Sequence, residues 1–217
     1  MKVWKEILKE IGKVLVGLLP GALVCAISAA LVLLDIVVFK MECDELGIVE
    51  ISQSLALLTV VVTLVVAAVK RPAFRGGLVL AAALFFDMLL REQDQVFELW
   101  LPHGFWVYPV IVTTAFACWY GIRRPESVRD FLVTVRANRH FPALALGFLT
   151  VIGYARLFGV KPIWQTVVGM DEFRVAKHVA EEGIELFGYV ILVYWAIIFT
   201  LDLLSADDAV RKDAGRS

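Results

Sequence analysis

The residues best equipped for chemistry in this chain are ionisable side chains at helical spacing inside or beside apolar sequence. Asp87, Arg91, Asp94 and Glu98 stand at steps of four, three and four, with Glu92 and Gln95 beside them. Arg174, His178, Glu181 and Glu185 repeat that spacing, with Glu182 adjacent and Tyr189 one turn further on. Glu50, Gln53 and Ser54 form a third group. At about 100° per residue, each group makes one stripe on a helix. Carboxylates in excess of cations in a low dielectric are relieved by bound protons, a bound cation or water. The spacing therefore predicts a ligand- or ion-binding chamber made by Glu50, Gln53, Arg91, Glu92, Asp94, Glu98, His178, Glu181, Glu182 and Glu185. Asp87, Arg174 and Tyr189 would support it. Arg91 is expected to pair with Asp87 or Asp94, and Arg174 and His178 to cover part of the last stripe. The plain alternative is a buried ion-pair network that only holds helices together.

If the ligand is a metal, Glu50, Glu92, Asp94, His178, Glu181 and Glu185 are its candidate ligands. Oxygen donors with at most one imidazole suit a divalent hard cation such as Ca²⁺, Mg²⁺ or Mn²⁺. Zinc is less natural, because no cysteine pair or second nearby histidine is offered. His103, after Pro102, is a further candidate ligand whose simpler role is a solvated loop histidine. Ser52 and Ser54 lack a nucleophile motif, and no HExxH, phosphate-binding or dinucleotide fingerprint occurs. The three cysteines (Cys25, Cys43, Cys118) form no disulfide framework.

The elements that would position these stripes follow from composition. The 217 residues are 60% hydrophobic and 20% charged, with a mean hydropathy of +0.78. Soluble chains are about 45–50% apolar and about 25% charged. The apolar surplus falls in continuous blocks near the roughly 20 residues a membrane helix needs, which also excludes an alternating β-barrel pattern. The expected fold class is an all-α polytopic membrane bundle of about six spans: 14–39, 47–69, 76–98, 104–122, 141–160 and 177–204. Residues 1–204 form one transmembrane domain, beginning with an interfacial helix over 1–13. A basic amphipathic helix is expected over 123–140, a second interfacial piece near Ile163–Val168, and a polar tail over 205–217. Gly17, Gly21, Cys25 and Ala29 give the first span a small-residue face for helix packing. The partners implied are the lipid bilayer and a homo-oligomer. A net charge of -1 without a dominating basic stripe gives no reason to expect nucleic acid.

Six crossings put both termini and the loops 70–76 and 123–140 on one side. That side holds fifteen of the 21 basic residues, whereas twelve of the 22 acids gather on the other. The positive-inside rule makes the basic side cytoplasmic. The expected location is a bacterial inner (plasma) membrane, with the acidic stripes facing the non-cytoplasmic side.

The layout resembles the membrane hydrolase superfamily that includes alkaline ceramidases and the adiponectin-receptor family. Glu50 stands at the place of an early-helix glutamate. Arg91-Glu92 and Asp94 stand at the places of a serine and histidine and of a following aspartate. Glu181 and Glu185, or His178 and Glu182, take the places of a terminal histidine pair. The resemblance implies a metal-dependent hydrolase acting on a lipid. Arg91-Glu92-Gln93-Asp94 and Glu181-Glu182-Gly183-Ile184-Glu185 are also similar to segments of uncharacterised small polytopic bacterial membrane proteins. Three functions are thus expected to compete: a small channel- or transport-type protein with a cation or proton site, a membrane-embedded lipid hydrolase, and a structural or sensing subunit.

Overall fold

A computed structural model describes residues 2–39, 47–170 and 173–214. Lys40, Glu42, Asp44, Glu45, Asp171 and Glu172, part of the acidic side's charge expected from the sequence, lie outside them, as does Cys43. All elements among the described residues are helical. They are α1 (Lys2–Leu33), α2 (Ile48–Lys70), α3 (Arg75–Glu92), α4 (Asp94–Glu98), α5 (Val107–Ile122), α6 (Pro125–Ala137), α7 (Phe141–Leu149), α8 (Ala155–Phe158), α9 (Lys161–Val168) and α10 (Phe173–Ala214). α1 runs on as a π-helical segment over Leu34–Phe39, and a second such segment, Thr150–Tyr154, joins α7 to α8.

Five helical stretches are long and apolar enough to cross a membrane: Trp4–Phe39, Ile48–Lys70, Pro72–Glu92, Phe141–Phe158 and Phe173–Ser205. The expected span at 104–122 is shorter. Pro102 and the left-handed Gly104 (φ 77°) delay its start to Val107. The resulting 16 residues measure about 24 Å at about 1.5 Å per residue, less than the roughly 30 Å of a bilayer core. The stretch 1–13, expected as a separate surface helix, continues into α1 without a break. Beyond Ser205 the chain stays helical to Ala214, where a polar tail was expected.

Contacts between helices fix their directions. Gln93 bonds Ser54, and Arg75 Nε donates to the Ala68 carbonyl at 2.9 Å, so α2 and α3 form an antiparallel pair. Asp87 accepts from Thr113 and Thr114, while Leu80 faces Gly121, so α5 runs back along α3. α7 and α10 cross at Gly147 and Gly188. A Cβ on either glycine would lie 3.1 Å from the other's carbonyl oxygen, a backbone-to-backbone approach that small residues permit within membranes. α1 touches α10 through Val32 near Gly183 and the cluster around Val49 and Leu186.

The central core joins Leu57, Val60 and Leu64 of α2 to Leu78 and Phe85 of α3 and to Leu192, Trp195 and Phe199 of α10. Trp195 stacks on Phe199 with centroids 5.3 Å apart. α6 is amphipathic, and its apolar side, Phe131 and Val135, is buried. Ser127 Oγ accepts from the Gly76 amide at 2.8 Å, and Phe131 fills the space that a side chain at Gly77 would need.

Candidate functional site

The start of α2, the end of α3, α4, α8 and the start of α10 meet at one end of the bundle. They enclose a cavity of about 200 Å³ lined by Glu50, Arg91, Glu92, Asp94, Gln95, Arg156, His178, Glu182 and Glu185. Each side chain reaches it for a local reason. Glu50 lies in the first turn of α2. Arg91 and Glu92 end α3, where Gln93 leaves the helix and donates to Ser54 Oγ at 2.6 Å. This break makes Asp94 the first residue of a separate short helix. His178, Glu182 and Glu185 share a face of α10 at steps of four and three. Arg156 follows the π segment Thr150–Tyr154; a wide turn of this kind shifts the face on which later residues emerge.

One wall is saturated with ion pairs. Arg156 bonds Glu185 and also Glu181, the latter at 3.1 Å. Lys177 Nζ takes the other Glu181 oxygen at 2.7 Å. Arg91 pairs with its neighbour Glu92 and lies 3.9 Å from Glu185. Tyr189 Oη donates to Glu92 at 2.8 Å from below. Glu185 is 2% exposed. A carboxylate this deep is stable only while such partners remain.

The rest of the site is less satisfied. Gln53, fully buried, donates through Nε2 to Glu182 Oε2 at 2.9 Å and to the Glu182 carbonyl at 3.0 Å. Its own Oε1 has no hydrogen-bond partner among the described residues, and neither has the buried Oδ1 of Asp94. His178 Nδ1 approaches Glu182 Oε1 only to 3.8 Å. With His178 neutral, the lining holds five carboxylates (Glu50, Glu92, Asp94, Glu182, Glu185) against two guanidiniums (Arg91, Arg156), a formal excess of three negative charges.

Several expected members stand elsewhere. Asp87 faces α5, where Thr113 and Thr114 donate to it. Because α3 stops at Glu92, the stripe Asp87–Arg91–Asp94–Glu98 is not one helical face, and Arg91 pairs with Glu92 and Glu185 in place of Asp87 or Asp94. Glu98 bonds the exposed His103 outside the cavity. Arg174 sits over Phe173 on its own helix, 6.0 Å from the ring centroid. Glu181 is in the ion-pair wall without lining the cavity. The proposed metal set also separates: among the described residues, the group of three ligand atoms within 4.8 Å of one another is Asp94, Glu98 and His103, not a set from within the chamber.

The residue that spacing alone passed over is Arg156, which joins two carboxylates of α10. Its signal was nonetheless present, an arginine in an otherwise apolar span. Comparisons with protein-family models, characterised proteins and solved structures find no match for this chain.

Proposed function

We propose that this polytopic membrane protein binds a small cation in its acidic chamber, which opens on the non-cytoplasmic side. The observation that carries this reading is the charge imbalance of the cavity, together with the partnerless buried Oδ1 of Asp94, a residue of its lining. Acceptors without donors in a net-negative cavity are complementary to a cation or to a donor-rich ammonium group. The space suits a hydrated ion or a small organic ammonium better than a bare metal. At about 30 Å³ of liquid volume per water, some 200 Å³ has room for several waters, and among the described residues no compact ligand trio lies wholly within it. Asp94, Glu182 and Glu50 would be the charge partners. Orientation rests on the concentration of basic residues at the opposite end.

Beneath Tyr189 the bundle is closed by Leu192, Trp195 and Phe199, all buried. This favours a binding or alternating-access transport protein over a permanently open channel. Titration of purified protein with Ca²⁺, Mg²⁺ and a primary alkylammonium, followed by heat release, tests the reading. We expect saturable binding of at least one, weakened about tenfold or more in Asp94→Asn or Glu182→Gln, since a charge-assisted contact is worth about 1.5–3 kcal/mol. Absence of binding by all three probes, or unchanged affinity in both variants, overturns it.

The ion-pair wall supports a second reading. Arg156, Arg91 and Lys177 already occupy Glu181, Glu185 and Glu92, as a purely structural lattice would. In that case every variant shifts stability and none has a separable binding defect.

A further inference from the structure

A second cavity lies at the opposite end of the bundle, where α3, α5 and α6 meet. This groove of about 430 Å³ is walled by Leu80, Cys118, Ile122, Val128 and Leu132, with Arg129 the one charged residue along it. Pro125, Arg129, Leu132 and Arg136 recur at steps of four, three and four and so share a face of α6, while Glu126 and Asp130 fall off it. At the end of α5 the Arg123 guanidinium lies 4.5 Å from the centre of the Trp119 ring. Among the described residues, no carboxylate forms an ion pair with Arg123, Arg129 or Arg136. The contrast with Arg91 and Arg156, both engaged by glutamates, is physical: these three cations present their charge outward.

An apolar groove with the guanidinium of Arg129 in its wall complements an amphiphile with an anionic head. We propose that the α3/α5/α6 groove binds an anionic phospholipid, one acyl chain lying along Leu80, Cys118 and Leu132 and the headgroup phosphate on Arg129, with Arg136 and Arg123 nearby. Basic sites between membrane helices at the cytoplasmic surface suit anionic headgroups, and this is the end where the basic loops gather. A guanidinium also matches phosphate in a two-point fork. The proposal does not depend on the acidic chamber.

The test uses the full chain in nanodiscs of phosphatidylcholine with an admixture of phosphatidylglycerol, counting lipids retained on release by native mass spectrometry. Wild type should retain phosphatidylglycerol over phosphatidylcholine. Arg129→Gln should weaken that preference about fivefold, and Arg129→Gln with Arg136→Gln further, at about fivefold per surface cation. Arg129→Lys should keep most of it. Cys118→Trp, which fills the groove and leaves every charge in place, should lose the retained lipid while remaining monodisperse. Inorganic phosphate should not compete. Equal retention of both lipids by wild type overturns the proposal. So does an unchanged preference in the double arginine variant or in Cys118→Trp, or full competition by phosphate, which would mark a bare anion site.

Discussion

Arg156 joins Glu181 and Glu185, so its removal leaves Glu181 to Lys177 and the almost wholly buried Glu185 with only the more distant Arg91 at 3.9 Å. Breaking a buried pair in this way costs about 3–5 kcal/mol, moderated here because Arg156 is itself 45% exposed. Arg156→Ala should therefore lower the thermal midpoint in detergent more than Arg91→Ala, whose partners Glu92 and Glu185 keep Tyr189 and Arg156. Adding Glu185→Gln to Arg156→Ala should recover part of the loss, because an amide needs no counter-charge. A double variant no more stable than Arg156→Ala would show that the pair is not energetically coupled. Asp94 and Glu182 differ from this wall. Both line the cavity without a guanidinium or ammonium partner among the described residues, and Asp94 Oδ1 has no hydrogen-bond partner there, so neutralising them should cost binding before it costs stability.

At the scale of helices, the glycines divide by what surrounds them. Gly77 backs onto the Phe131 ring, with no room for a Cβ. Gly77→Ala should push α6 off α3 and expose the α6 backbone, readable as faster amide exchange over Pro125–Ala137. Gly17 and Gly21 have open space around them. Gly17→Ala and Gly21→Ala should leave the midpoint unchanged or slightly raised, since glycine inside a helix is about 0.8–1 kcal/mol worse than alanine. A marked loss in either would mean that this face of α1 packs against a second copy of the chain, the homo-oligomer expected from its small-residue spacing. The amphipathic α6 was legible because one-sided periodicity survives in a short helix. The end of α3 was not, because Gln93 leaves the helix without proline or glycine, held instead by Ser54 of α2.

For the whole molecule, charge distribution and helix direction make one joint prediction. The acidic chamber and the groove end, with Arg71, Arg75, Arg123 and Arg124, lie at opposite ends of the bundle. In a cysteine-free background, Gln95→Cys should react with a membrane-impermeant maleimide in intact cells, and Ala73→Cys only after lysis. The reverse pattern would invert the orientation and put the chamber in the cytoplasm. The short α5 does not alter this expectation, since it returns the chain along α3 from the chamber end to Arg123.

Composition and periodicity by themselves determined that the chain is helical, that several of its helices are apolar enough to span a bilayer, and which stretches carry ionisable stripes. These are local properties, readable from twenty residues at a time. Which charges meet was decided by tertiary structure alone. Arg156 reaches Glu181 and Glu185 only because α8 runs antiparallel to α10, and Asp87 is drawn to α5 because two threonine hydroxyls wait there. An ion pair depends on distances of a few ångströms between residues far apart in sequence, and spacing along one helix holds no information about which neighbour stands opposite.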